Sequence, residues 1–207
     1  MRVWPETDSD RKKGKLMKRL FAIMAAALVT LAASSAPGAA QGMMKGDGNP
    51  TVGGAAMYRT KNIVENALNS PVHTTLVAAV KAAGLAETLM GKGPFTVFAP
   101  TNDAFAKLPA GTVESLVMPE NKATLQKILT YHVVKGKMDS KKIAQAIKKG
   151  NGRATFKTVS GDTLTATMAN GGVMLTDEKG GTAMVTTADV YQKNGVIHVI
   201  DTVVMPD

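Results

Sequence analysis

Two hydrophobic rhythms divide the chain. Between residues 61 and 150 the apolar positions recur every three or four residues, broken by Gly and Pro. The stretch KNIVENALN (61–69) predicts a short helix. SPVHTTLVAAVKAAGL predicts a longer one, with Leu76, Val77, Val80 and Ala83 on one face, Thr74 or Thr75 as N-cap, and Gly84 as the stop. FTVFA (95–99) is a strand between a Gly-Pro turn and Pro100. NDAFAKL is a brief helix that ends at Pro109, and GTVESLV is another. PENKATLQKILTYHVV opens with a helix-starting proline and carries Leu125, Ile128, Leu129 and His132 at helical spacing. MDSKKIAQAIKKG reads as a helix capped by Asp139 or Ser140 and stopped at Gly150.

From residue 154 the rhythm becomes alternation. ATFKTV, TLTATMA, VMLT, AMVTTADVY and VIHVIDTVV read as strands, separated by the turn sequences SGD, NGG, KGG and KNG. Helices around one strand, followed by a meander, predict an α+β fold with helices packed on one side or end of a mainly antiparallel sheet. There is no βαβ alternation, no GxGxxG or phosphate loop, and no internal repeat within 57–207.

Composition alters this picture at the N-terminus. Lys18-Arg19 precede an uncharged run, LFAIMAAALVTLAA (20–33), and then SSAPGAAQ. A basic start, a short apolar run and a small-residue exit describe a secretory signal peptide over 1–40, with cleavage after Ala40 and a true start at Met17. The run is shorter than the ~20 residues that span a bilayer, so no stable span is expected after cleavage. Residues 41–56, rich in Gly, read as a flexible or loosely docked arm, and 57–207 as the domain. The formal charge of +9 is partly a leader effect, since residues 1–40 hold seven Lys/Arg against three acids.

There is no cysteine, which excludes disulfides, thiolate metal sites and a cysteine nucleophile. Thr101-Asn102-Asp103, directly after the first strand, invites two readings. Asp103 would be the base or nucleophile of an enzyme; alternatively Thr101 or Asn102 caps the next turn and Asp103 sits in its first turn. No convergent acid–base partner is visible, which favours the second. His132, beside Tyr131 on an apolar stripe, reads as a buried, hydrogen-bonded histidine. A three-His zinc site would need all of His73, His132 and His198, and neither a metal nor a cofactor is expected. Charge concentrates at 122–157, where ten Lys/Arg face one acid, Asp139. Lys141, Lys142, Lys148 and Lys149 form either a solvated face or a docking surface for anionic polysaccharide or an acidic membrane surface. With no aromatic interleaving, nucleic acid is not expected.

Three stretches together resemble the fasciclin-like domain: FTVFAPTNDAFAKLP, the Tyr-His pair in LTYHVV (129–134), and NGVIHVIDTVVMP (194–206). In order they cover about 57–206, as in small exported single-domain bacterial members. The resemblance implies a wedge-shaped β-sandwich with a packed helical layer, and adhesion or matrix interaction rather than catalysis. It makes Thr101, Asn102, Asp103 and His132 structural keystones, with His132 as the group to which the triplet is tied, and Tyr131 a binding contributor.

The leading expectation is an exported, non-enzymatic module, secreted or periplasmic, contacting a cell-surface or matrix protein or polysaccharide through Tyr131 and the four lysines. A small-ligand carrier or enzyme with a pocket near Asp103, Tyr131 and His132, and an inert envelope protein, stand as alternatives.

Overall fold

The computed structural model describes residues 48–207. The leader over 1–40 and the first part of the arm, 41–47, lie outside the described residues. In chain order the elements are α1 (Ile63–Leu68), α2 (Thr74–Ala83), α3 (Ala86–Met90), β1 (Phe95–Pro100), α4 (Asn102–Ala106), α5 (Thr112–Leu116), a 3-10 turn (Pro119–Asn121), α6 (Lys122–Tyr131), β2 (Val133–Lys135), α7 (Ser140–Lys149), β3 (Arg153–Lys157), β4 (Thr163–Ala169), β5 (Gly172–Thr176), β6 (Thr182–Gln192) and β7 (Gly195–Ile200). The α+β order expected from the two rhythms is present. Two boundaries differ. The helix over 122–131 stops before Val133-Val134, which pair with β1 as the short strand β2. The last strand stops at Ile200, because Asp201 turns back on β6: its N–H donates to the Met184 carbonyl and its carboxylate accepts the Met184 N–H. Val203 and Val204 are still buried, but outside the ladder.

The seven strands lie in the order β2-β1-β7-β6-β5-β4-β3. Among the described strands only the β1–β7 pair is parallel. The two edge strands meet: Val134 bridges Thr158 just beyond β3, and the Val159 N–H donates to the Val133 carbonyl at 2.7 Å. The sheet therefore curls on itself, which removes exposed edges.

Two cores result. One lies between α1–α6 and the outer face of β1 and β7; the other fills the curl and is closed by α7. Side chains of a strand alternate between faces, and the central strands use both. Val97 and Ala99 of β1 enter the helical core while Phe98 enters the curl; Ile197 and Val199 of β7 enter the first while Ile200 enters the second. This is why β7 is buried at every position.

The arm is not free over its described part. Asn49 is fully buried, its Nδ2 donating to the Tyr191 carbonyl at 2.6 Å and its Oδ1 accepting the Tyr191 N–H at 3.0 Å. Val52 and Met57 are buried in or beside the helical core. The Gly-Pro turn before β1 has a steric cause: Gly93 has φ +52°, and a Cβ there would collide with the Asn194 carbonyl.

Candidate functional site

Thr101 leaves β1 in an extended conformation (φ −74°, ψ 168°), and its side chain accepts the Ala104 N–H at 3.2 Å, capping α4. Asn102 faces a different helix. Its N–H donates to the Val72 carbonyl at 2.8 Å, its Oδ1 accepts the Thr75 N–H at 3.0 Å and the Thr74 hydroxyl at 3.1 Å, and its Nδ2 donates to the Pro71 carbonyl at 3.1 Å. The expected cap at Thr74 or Thr75 is thus replaced. Both threonines lie inside α2, whose N-cap position is His73 with no side-chain cap of its own. Asp103 is exposed in the first turn of α4.

Tyr131 is 0% exposed. It projects into the curled sheet, where its hydroxyl donates to the Thr163 carbonyl at 2.7 Å, and burial pushes its phenol up to about 12. Tyr131 is thus a core residue and not, as the motif suggested, a surface contact. His132 meets the Tyr131 ring edge to face, with centroids 6.5 Å apart, and is 3% exposed. Its Nδ1 lies 2.8 Å from the Ile128 carbonyl, and its Nε2 accepts the Val204 N–H at 3.3 Å. An acceptor facing Nδ1 and a donor facing Nε2 fix the neutral, Nδ1-protonated ring. Burial holds its pKa down to about 4. His132 joins α6 to the C-terminal segment rather than to the triplet at 101–103.

The remaining histidines bond to other groups. His198 is buried on β7, with Nε2 2.8 Å from the Met138 carbonyl and Nδ1 accepting the Asp189 N–H at 3.4 Å. His73 bonds through Nδ1 to the Ser70 hydroxyl at 2.8 Å. Burial holds both below the ordinary imidazole value. Among the described residues no group of three or more His, Asp or Glu side chains is gathered as metal ligands would be. Tyr131 and His132 are in ring contact, but Asp103 stands apart from them, exposed on α4. An apolar cavity between the helices and the sheet is lined by His132 and His73, but by neither Asp103 nor Tyr131.

The basic face has a definite geometry. Ile143 and Ile147 of α7 are buried in the curl and anchor the helix. Lys141, Lys142, Lys148 and Lys149 are all exposed, within an arc of about 120° on the opposite side at 100° per residue. Asp139 is occupied as the N-cap, accepting the Lys142 N–H at 2.8 Å. The lysine ion pairs among the described residues, Lys107–Asp201 and Lys127–Asp162, lie elsewhere.

Sequence reasoning missed a side chain that joins two other helices. Asn194 was a turn residue in KNG. It is buried, its Oδ1 accepts the Ile63 N–H at 3.0 Å at the head of α1, and its Nδ2 donates to the Leu89 carbonyl at 2.7 Å and the Gly91 carbonyl at 3.0 Å at the end of α3. An Asn-Gly pair signals a hairpin turn; nothing local distinguishes one that also bonds two helices.

A family model described as fasciclin domain matches residues 71–206. Protein sll1483 of Synechocystis is 51% identical over 152 residues, covering 73% of this chain and 77% of that protein. Immunogenic protein MPB70 of Mycobacterium bovis is 34% identical over 195 residues, covering 88% of this chain and 92% of the relative. The structure of a FAS1 domain pair from the insect cell adhesion molecule fasciclin I aligns with a TM-score of 0.60 at 19% identity, over 69% of this chain and 50% of that one, and so shares the fold. By sequence and by architecture, the chain belongs to the fasciclin domain family.

Proposed function

We propose that this protein is an exported, non-enzymatic binding module that docks on anionic polysaccharide or acidic protein at the cell surface or matrix through the outer face of α7. The observation that carries the reading is the set of four exposed lysines on one arc of a helix whose other side is anchored by Ile143 and Ile147. A rigid, unneutralised basic arc attracts polyanions by the summed field of its charges. One relative supports the setting by name: cell surface glycolipoprotein MPB83 of Mycobacterium bovis, 34% identical over 164 residues. Among the described residues, no helix is long and apolar enough to cross a membrane. The signal peptide over 1–40 supplies the export route in this reading.

The test is binding of the chain from residue 41 to its own cell surfaces and extracted matrix at low and moderate salt. The expected result is binding that weakens with salt, because the Debye length shrinks to about 10 Å at 0.1 M, and that is lost in a Lys141/Lys142/Lys148/Lys149→Glu variant. Binding indifferent to both changes overturns the assignment to α7.

A further inference from the structure

Cations and aromatic rings gather at the end of the sheet where β1 and β7 begin and β6 ends. Arg59 lies over the Tyr191 ring with its Cζ 4.8 Å from the centroid, and Lys137 lies over the same ring with its Nζ at 4.8 Å. Lys61 lies over the Tyr58 ring at 5.0 Å. The turn after β6 adds Lys193, whose backbone N–H donates to the Lys61 carbonyl at 2.9 Å. Arg59, Lys137 and Lys193 are exposed and Lys61 is half-buried. Lys61, Lys137 and Lys193 enter no ion pair among the described residues. The members come from 58–61, 137 and 191–193, so the aromatic interleaving that is missing along 122–157 is present in space.

Two features set this cluster apart from scattered surface charge. First, its cations are held. An exposed Lys or Arg loses rotamer freedom when it binds a partner, and a cation already attracted to a ring has lost part of it beforehand. Tyr191 is fixed in turn, because Asn49 bonds both its N–H and its carbonyl. Second, the cations form a row that continues onto α7. The Lys142 ammonium donates to the Lys137 carbonyl at 3.0 Å. Lys137 and Arg59 share a ring and so stand no more than twice 4.8 Å apart. Carboxylates are near as well: burial, with Asp189 and Asp139 close by, pushes the Tyr191 phenol up. Both are committed to the head of α7, where Asp139 accepts the Lys142 N–H and Asp189 accepts the Ser140 N–H and hydroxyl.

A row of held cations fits a chain that repeats its negative charge. Nucleic acid fits less well, because bases stack on open aromatic faces and these rings are engaged by cations. An acidic protein fits less well, because each carboxylate sits on its own flexible side chain and must be ordered. An acidic polysaccharide carries its carboxylates on stiff rings at a regular interval. We propose that the Arg59, Lys137 and Tyr191 cluster, with Lys61 and Lys193, is a second binding site, for a linear acidic polysaccharide. It rests on the reading of the partner as a polyanion but not on α7; where both sites act, one chain runs from this cluster onto Lys142.

The probe is polygalacturonate, titrated into the protein at low salt beside neutral dextran and oligothymidylate. Saturable binding of polygalacturonate and none of dextran is expected. The double variant Arg59→Gln, Lys137→Gln weakens it about tenfold, as the loss of two charge contacts gives. Tyr191→Leu removes no charge, yet weakens it about threefold by releasing both cations. Wild-type affinity in a folded Tyr191→Leu protein overturns the account of held cations. Affinity lost in Lys141/Lys142/Lys148/Lys149→Gln but unchanged in the double variant overturns this site and leaves α7 standing. The reverse pattern upholds this site and removes α7 from polysaccharide binding. No binding by the wild-type protein overturns this site, while α7 keeps its own test on cell surfaces. Oligothymidylate bound as tightly as polygalacturonate overturns the choice of partner. Should Tyr191→Leu unfold, the double variant, at two exposed positions, still decides.

Discussion

Asn102, the first residue of α4, caps α2: its Oδ1 accepts the Thr75 N–H at 3.0 Å from 27 residues away in sequence. Thr101 caps α4 in the ordinary way. The end of one buried strand thus starts two helices. Asn102→Ala removes a cap and a donor to the Pro71 carbonyl. It is expected to destabilise by about 2 kcal/mol, and Thr101→Ala by about 1 kcal/mol. For a domain of this size that lowers Tm by about 4–8 °C and 2–4 °C respectively. Asp103→Ala, at an exposed position, stays within about 0.5 kcal/mol. Thermal melts of the three variants check the order. An Asp103 variant as costly as the Asn102 one would show that the caps are not what the triplet provides.

This relationship also marks where sequence reading stops. The helices and strands were legible because periodicity is local: Leu125, Ile128 and Leu129, or Val196, Ile197, Val199 and Ile200, announce their faces within a few residues. The family was legible from three motifs in order. Pairings across the fold were not. Thr74 and Thr75 carry a capping residue type, yet nothing near them says that an asparagine after the next strand takes the role. Tyr131 and His132 are neighbours whose rings meet edge to face at 6.5 Å, yet their polar atoms reach different segments, Thr163 for the one and Ile128 and Val204 for the other. A binding role for Tyr131 followed from the motif, and its burial followed from a topology the motif does not encode.

His132 makes stability depend on pH. Its pKa falls from 6.5 to about 4 on folding, so the unfolded chain binds the extra proton between those values. The contribution is fully present above about pH 6.5, is lost as pH falls toward 4, and levels off below. A shift of that size corresponds to roughly 3 kcal/mol. Burial lowers His73 and His198 as well, and they act in the same direction. Urea unfolding at a series of pH values should show stability falling from pH 7 to pH 4. His132→Leu, which has no proton to take up, should be less stable at pH 7 and flatter across that window. A variant with the wild-type slope would remove His132 from the account.

Asn194 joins α1, α3 and the turn into β7 through three hydrogen bonds. Asn194→Ala leaves the Ile63 N–H and two carbonyls without their partner, at a cost of about 3 kcal/mol. Asn194→Asp keeps an acceptor for Ile63 but aims a carboxylate at the Leu89 and Gly91 carbonyls, so it should be no better tolerated at pH 7. Hydrogen exchange gives the sharper readout: loss of protection should concentrate in 63–68 and 86–90, while β4 and β5 remain protected. Uniform loss across the chain would mean that Asn194 holds the whole domain rather than the helical layer.

Tyr131 and the α7 lysines separate fold from surface. Tyr131→Phe keeps the ring in the curl and deletes the hydroxyl that serves the Thr163 carbonyl. The expected cost is about 1 kcal/mol, with no change in binding to cell surfaces or matrix, because the side chain is wholly buried. The four-lysine reversal should do the opposite. Its positions are exposed and outside any ion pair among the described residues, so Tm should change by a few degrees at most while salt-sensitive binding disappears. The two variants measured side by side, by melting and by surface binding, form a crossed pair. If Tyr131→Phe lost binding while retaining stability, the motif would be acting through a conformation in which that ring is exposed, and α7 would no longer be the favoured contact.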